Sequence, residues 1–205
     1  MSAPSHPVVA ALLDPMMAPL RGIRERLIPP IEGDVLEIGA GTGENFRLYE
    51  NAGSVLALEP DPHMRRRAEG KLSDAKVSIT VLDAGAEALP CVAHRFDAVV
   101  CTWVLCTIPR VEEALSEMYR VLKPGGRLYF AEHVRSRAPM GFALQRALTP
   151  LWQRLAGGCQ LDRDSTGALR SAGFVVEHEV GVGPQRWTLT PMRIGVARKP
   201  GGQSA

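Results

Sequence analysis

The sequence predicts one α/β domain: a seven-stranded, mostly parallel, Rossmann-like sheet with helices on both faces. Three observations predict it. Short apolar runs alternate with amphipathic or loop-rich stretches along most of the chain, the rhythm of strands joined by crossovers. The first run, Val35-Leu36-Glu37-Ile38, passes straight into glycines at alternate positions, Gly39, Gly41 and Gly43. The second, Val55-Leu56-Ala57-Leu58, ends in Glu59, about twenty residues after the loop begins. A glycine loop after a strand lets backbone N–H groups approach a ligand that a Cβ would push away. A carboxylate at the tip of the next strand stands where a ribose would bind. Together they predict an adenosine-type cofactor. The spacing is G-x-G-x-G rather than the dinucleotide G-x-G-x-x-G, and Glu44 would serve a pyrophosphate poorly.

Length and composition bound the rest. With 205 residues, 45% of them hydrophobic, the chain has enough material for one full core. Residues 1–30 read as an N-terminal helical cover segment, 31–199 as the domain and 200–205 as a disordered tail. Net charge is +2, from 24 basic and 22 acidic residues, and no basic block stands out, so nucleic acid is not an expected partner. Cys91, Cys101, Cys106 and Cys159 show no metal-site spacing, so no metal is expected and a reduced, cytoplasmic setting fits. No apolar stretch is long enough to span a bilayer, and no signal peptide is evident. Oligomeric state is open.

Taken in order, the elements follow from local pattern. Residues 8–13 and 16–28 suggest one or two helices broken near Pro15 and Pro19. They suit a cover over the cofactor, packing on the sheet, or peripheral membrane contact through Met16, Met17, Leu20 and Ile23 with arginines alongside. The first strand is followed by an expected helix from about residue 43 to 48. After Glu59 and Pro60, Asp61 and Pro62 predict a helix N-cap and first turn, with Met64 close enough to lie against an adenine. Residues 77–82 alternate as a third strand. In the loop beyond, Asp83, Glu87 or the N–H groups of Ala86 and Glu87 are candidates to read that ring. Residues 96–101 form the fourth strand, with Asp97 structural. Thr102 to Cys106 then lie at its carboxyl end, where open α/β sheets bind ligands. An amphipathic helix over 111–122 and the turn Lys123-Pro124-Gly125-Gly126 lead into a fifth strand ending in Glu132-His133. Residues 143–155 read as a helix or lid, 164–172 as a helix closed by Gly173, and 174–180 and 187–198 supply the last two strands.

The motifs carry a resemblance. Glu37-Ile38-Gly39-Ala40-Gly41-Thr42-Gly43, with Glu59 in register and Leu122-Lys123-Pro124-Gly125-Gly126 downstream, resembles the signature of class I S-adenosylmethionine (SAM) methyltransferases. Gly41-Thr42-Gly43-Glu44-Asn45-Phe46, the segment 100–106, Glu132-His133-Val134, Gly158-Cys159-Gln160-Leu161 and Trp187 resemble the subfamily that includes the alkyl-thiol S-methyltransferases and ubiquinone-type relatives. The mammalian thiol members carry an N-terminal hydrophobic membrane segment that has no counterpart here. The resemblance implies SAM as cofactor. It places that cofactor on Glu37, Gly39, Ala40, Gly41, Gly43, Asn45, Glu59, Pro60, Met64, Ala86, Glu87, Cys101 and Thr102. Trp103, Leu105, Cys106, Trp152 and Trp187, with Phe142 and Leu148, would form an apolar pocket for a small lipophilic acceptor. An alkyl thiol is the leading acceptor. Oxygen or carbon of a quinone, phenol or fatty acid, a lipid amine, and SAM binding without turnover are the alternatives. His133 is the one candidate general base. Cys101 and Cys106 are expected to pack rather than react.

Overall fold

The computed structural model describes residues 5–183 and 189–201. Seven strands form one sheet: β1 (Gly33–Ile38), β2 (Ala52–Leu58), β3 (Ser78–Leu82), β4 (Phe96–Thr102), β5 (Leu122–His133), β6 (Val175–Val182) and β7 (Met192–Arg198). Their order is β3-β2-β1-β4-β5-β7-β6. The first five pair in parallel, and β7 runs antiparallel to both β5 and β6. The order reverses between β1 and β4. In sheets of this kind ligands bind at that point, beyond the carboxyl ends of the strands.

The helices are α1 (Pro7–Met17), α2 (Arg21–Leu27), α3 (Pro62–Glu69), α4 (Val111–Val121), α5 (Pro139–Leu155) and α6 (Ser165–Ser171). Central strands are apolar on both faces because both are covered. Leu36, Ile38, Val99, Cys101, Leu128 and Phe130 pack with Leu115 and Met118 of α4 on one side. Val35, Val55, Ala98, Val100 and Ala131 pack with Ile23 and Leu27 of α2 on the other. Asp97 holds the far end of the sheet together, accepting from Lys123 Nζ at 2.8 Å and the Asp34 N–H at 2.9 Å. Its structural reading is borne out.

The stretch expected as a helix from 43 to 48 is instead a loop ending in one 3₁₀ turn, Phe46–Leu48. Gly43 has φ +80°, which starts no α-helix, and Tyr49 is already extended. Phe46 is fully buried against Ala40, Ala57 and Ala68, so it is core rather than ligand contact. Among the described residues, no helix is long and apolar enough to cross a membrane.

Candidate active site

The glycine loop takes its shape from positive φ at Gly39, Gly41 and Gly43, where an L side chain is strained. Contacts demand glycine as well. A Cβ on Gly39 would run into the Val104 side chain, and one on Gly43 would come within 3.0 Å of the Ala68 backbone and the Phe46 ring. At Gly41 the nearest atom to such a Cβ is Leu13 Cδ2 of α1, at 3.4 Å. The loop is therefore packed between the β4 exit and the first helix.

Glu59 sits at the tip of β2 with only 5% of its surface exposed. Its Oε2 accepts from the Gly41 N–H at 2.7 Å and its Oε1 from the Asp61 N–H at 2.9 Å. Burial pushes this carboxyl up to about 7, against those two N–H bonds. Asp61 caps α3 as expected, accepting from the N–H groups of His63 and Met64, and it also takes the His6 N–H at 2.6 Å. Pro60 and Met64 are half-buried beside it. Asp83, on the rim, pairs with Arg65 at 2.9 Å, while Glu87 is half-buried and the Ala86 side chain packs into the core.

Beneath the loop lies a buried polar network. Glu37 accepts from Asn45 Nδ2 at 2.8 Å and from the Tyr49 hydroxyl at 2.9 Å. Burial raises its carboxyl to about 7, the two hydrogen bonds and nearby Arg24 pulling the other way. Arg24 of α2 donates to Asn45 Oδ1 at 2.7 Å and Thr102 Oγ1 at 3.1 Å, and stacks 4.7 Å over the Trp103 ring. Thr102 also accepts from Asn45 Nδ2 at 3.2 Å. Arg24 was missed from sequence because it lies 21 residues before Asn45, outside any motif. The arginine pattern in the first helices was its only signal. Cys101, by contrast, does not face this network. It alternates to the opposite side of β4, with its Sγ 3.7 Å from Met118 Sδ, so its assignment to the cofactor is corrected to core packing.

At the exits of β4 and β5 the chain makes a second, separate arrangement. Trp103 has φ +56°, a costly conformation for a bulky residue and one that concentrates at functional sites. Glu132, fully buried, accepts from the Val104 and Leu105 N–H groups at 2.9 and 3.0 Å through Oε1. Burial drives its carboxyl up to about 8. Leu105, expected in the pocket, is completely buried in the main core. His133 is half-buried, with Nδ1 3.8 Å from Cys159 Sγ, and Cys159 Sγ is 3.5 Å from Cys106 Sγ. The burial tendency of free cysteine suggests packing for Cys106, the resemblance a place in the pocket, and the cysteine spacing no metal site; the fold makes Cys106 one of three clustered ligand-type groups, Cys106, His133 and Cys159. The Cys106 contact first, and then His133 and Trp152 alongside, lower the Cys159 thiol, while Cys106 is held well up.

The segment carrying Cys159 is pinned to the β4 exit. Gly157 and Gly158 turn the chain with φ +58° and +90° after α5. The Gln160 N–H then donates to the Cys106 carbonyl at 2.9 Å, and the Arg163 guanidinium donates to the carbonyls of Leu105 and Ile108. Helix α5 is itself tied down through buried Gln145, which accepts from the Ser136 N–H and donates to the Val134 and Leu189 carbonyls. Trp152 is 37% exposed at the edge of the cluster, and Phe142 and Leu148 are half-buried on α5. Trp187 lies outside the described residues.

A methionine-type adenosyl cofactor fits this site on the chemistry of its groups. Glu59 spends one short N–H bond on each carboxylate oxygen, and each oxygen retains a lone pair for a ribose hydroxyl. Arg24, Asn45 and Glu37 gather a cation, an amide and an acid, a set suited to an amino-acid carboxylate and ammonium.

The sequence matches the family model of the methyltransferase domain over residues 36–130. It is 33% identical to thiol S-methyltransferase TMT1B of Homo sapiens over 173 residues, 80% of this chain and 70% of that protein. It is 35% identical to thiol S-methyltransferase TMT1A of Homo sapiens over 144 residues, 68% of this chain and 59% of that one, so the chain spans little more than half of that relative. A ubiquinone/menaquinone biosynthesis C-methyltransferase, UbiE of Allorhizobium ampelinum, is 38% identical over 120 residues, covering 52% and 43%. In fold it is similar to an S-adenosylmethionine dependent methyltransferase from Mesorhizobium loti, at TM-score 0.64 and 19% identity, covering 86% of this chain and 96% of that one. The glycine loop, Glu59 at the β2 tip, the strand order and these likenesses agree: the chain belongs to the class I SAM-dependent methyltransferases, in the group that holds the thiol S-methyltransferases.

Proposed function

We propose that the chain transfers the methyl group of SAM to a small lipophilic thiol, in the cytoplasm. One observation carries the acceptor: His133, the imidazole at the β5 exit, has its Nδ1 turned toward Cys159. A thiol needs little help, because a few per cent is thiolate at neutral pH and thiolate is strongly nucleophilic. The 33% identity to a thiol S-methyltransferase over 173 residues points the same way.

Bound SAM supplies a methyl on a sulfonium, a leaving group that needs no further activation. The protein's work is then alignment. Glu59 would take the ribose hydroxyls, and the glycine loop, free of side chains, would let the methionine portion approach its backbone. Arg24 and Asn45 would orient the carboxylate and Glu37 would face the ammonium. Trp103 with Trp152 would shield the acceptor from water, and Met64 with Ala86 and Glu87 would bracket the adenine. Holding the acceptor about 3–3.5 Å from the methyl converts a bimolecular displacement into an effectively unimolecular one. Residues 1–30 act as a cover. Support comes from Asp14 of α1, which bonds Thr42 of the glycine loop, Arg67 at 2.7 Å and Lys71 at 3.0 Å.

The test is a screen of the full chain with SAM against thiols, phenols, quinols, carboxylic acids and amines, reading the demethylated cofactor. A thiol should turn over best, and whatever rate His133→Ala loses on it should shrink as pH rises and free thiolate accumulates. The likeness to UbiE favours carbon as second acceptor. A quinol turned over far better than any thiol, with a loss of about 10²–10⁴-fold in His133→Ala, would put base-catalysed chemistry in its place. No turnover with any acceptor class would leave a SAM-binding protein.

A further inference from the structure

We propose that Cys106, Cys159 and His133 hold a zinc-type cation with one open position, and that this position takes the acceptor thiol. The inference rests on the thiol reading for its last clause only; the metal site stands on geometry.

The three ligand atoms lie within 4.8 Å of one another. Tetrahedral zinc, with bonds of about 2.3 Å to sulfur and 2.0–2.1 Å to nitrogen, requires edges of about 3.8 Å between two sulfurs and about 3.6 Å between sulfur and nitrogen. The sulfurs stand 3.5 Å apart and Cys159 Sγ stands 3.8 Å from His133 Nδ1, so two edges are met to within about 0.3 Å. Two thiolates and an imidazole are a donor set that zinc favours, and three protein ligands are the count of a site that keeps a place for substrate.

A second observation points to the same cation. Glu132 precedes His133 and braces the loop from which Cys106 extends; the Cys106 N–H also helps to lower its carboxyl, and its Oε2 is buried without a well-formed hydrogen bond among the described residues. A carboxylate oxygen left bare costs free energy, and a carboxylate just outside a histidine–cysteine set commonly steadies such a site. A Cys106–Cys159 disulfide would use two of these groups and leave His133 and Glu132 unexplained. A cation would use Cys106, Cys159 and His133 together.

The site lies at the carboxyl ends of β4 and β5, the edge that also carries Thr102 and Trp103. An alkyl thiol entering the open position would lose its proton to solvent and bind as thiolate. Its sulfur would attack the methyl carbon. The new S–CH₃ bond forms as the sulfonium–CH₃ bond breaks, the electron pair stays on the cofactor sulfur, and both products leave uncharged at sulfur.

The experiment uses the full chain, reduced, freed of reductant and chelator, with all four thiols confirmed by titration, and Co²⁺ as the probe. One Co²⁺ per chain is expected, with strong thiolate-to-cobalt bands in the near ultraviolet and the intense visible bands of a tetrahedral ion, all erased by added Zn²⁺. Cys106→Ser and Cys159→Ser should each weaken Co²⁺ binding at least about 100-fold, and His133→Gln about 10–100-fold, while each still binds the demethylated cofactor, which certifies the fold. Added alkyl thiol should shift the visible bands. Wild type without stoichiometric cobalt bands, or bands unchanged in the serine variants, overturns the site. Bands that ignore added thiol, or full thiol methylation by the metal-free protein, overturn the role in activation and leave the thiol reading intact. Cobalt binding and a thiol shift without thiol turnover would instead sink the thiol reading and leave the metal site standing.

Discussion

The two halves of the site are built in opposite ways. The cofactor half, around β1 and β2, draws on residues 37–64, a contiguous stretch in which Glu37, the glycines, Asn45 and Glu59 follow one another at fixed spacing. Arg24 and Thr102 join it from farther away. The acceptor half draws Cys106, His133 and Cys159 from three segments, joined by single hydrogen bonds such as Gln160 N–H to the Cys106 carbonyl. A contiguous site is fixed once its strands pair. A dispersed site depends on how three loops settle, and loops are where relatives diverge. The cofactor is therefore the stable property of this fold, and the acceptor is the adjustable one.

The largest effect should come from Glu59→Ala. It removes the ribose acceptor and leaves the Gly41 and Asp61 N–H groups without it, so two charge-assisted hydrogen bonds of about 1.5–3 kcal/mol each are lost. Affinity for the demethylated cofactor should fall by about 100-fold or more in calorimetry. An unchanged affinity would move the ribose elsewhere and break the contrast between the halves.

Glu132→Ala strikes the other half. It unpairs the N–H groups of Val104 and Leu105, at a cost of about 1–3 kcal/mol for each that water does not reach. The melting temperature should drop and the acceptor KM should rise, with cofactor affinity nearly unchanged. Glu132→Gln keeps an acceptor for these groups and should recover most of the stability. If cofactor affinity fell as much as acceptor binding, the halves would not be separable. Arg24→Ala is the intermediate case. It deletes the donor to Asn45 and Thr102, so cofactor affinity should fall about 10-fold, the loss of one charged hydrogen bond.

The pH response separates the halves further. Glu37 and Glu59 titrate near 7 in the fold, against the ordinary 4.5, because burial disfavours their charge. The folded state keeps protons that the unfolded state has lost, so their contribution to stability declines from about pH 4.5 to about 7 and levels off above. Cofactor affinity should move the other way, rising through pH 7 as Glu59 becomes a full acceptor. Melting curves and calorimetry from pH 5 to 8 check both signs; a Glu59→Gln variant should flatten the affinity rise. The smallest effect should be Lys76→Ala. Its pair with Glu50 is exposed at both ends, so stability should shift by no more than about 0.5 kcal/mol in a thermal melt.

What the sequence determined by itself was the cofactor half and the sheet. Strand periodicity is set by which residues avoid water, and the glycine loop and Glu59 sit at separations fixed by strand length, so both can be read along one dimension. The N-cap at Asp61 and the brace at Asp97 are local in the same sense. Tertiary structure alone decided the rest. The helix expected after the glycine loop gave way to a 3₁₀ turn because Gly43 is held at positive φ between Ala68 and Phe46, neighbours no local pattern announces. Cys101 turned to the core because the side of a strand a residue faces is set by register, not by motif, and Leu105 is buried where the chain turns off β4. Arg24 reached the site because α2 packs beneath β1 and β4. Cys106, His133 and Cys159 met because two glycines after α5 fold residue 159 back onto the β4 exit. Residues 53 positions apart carry no mutual signal in sequence until a chain folds them to 3.5 Å.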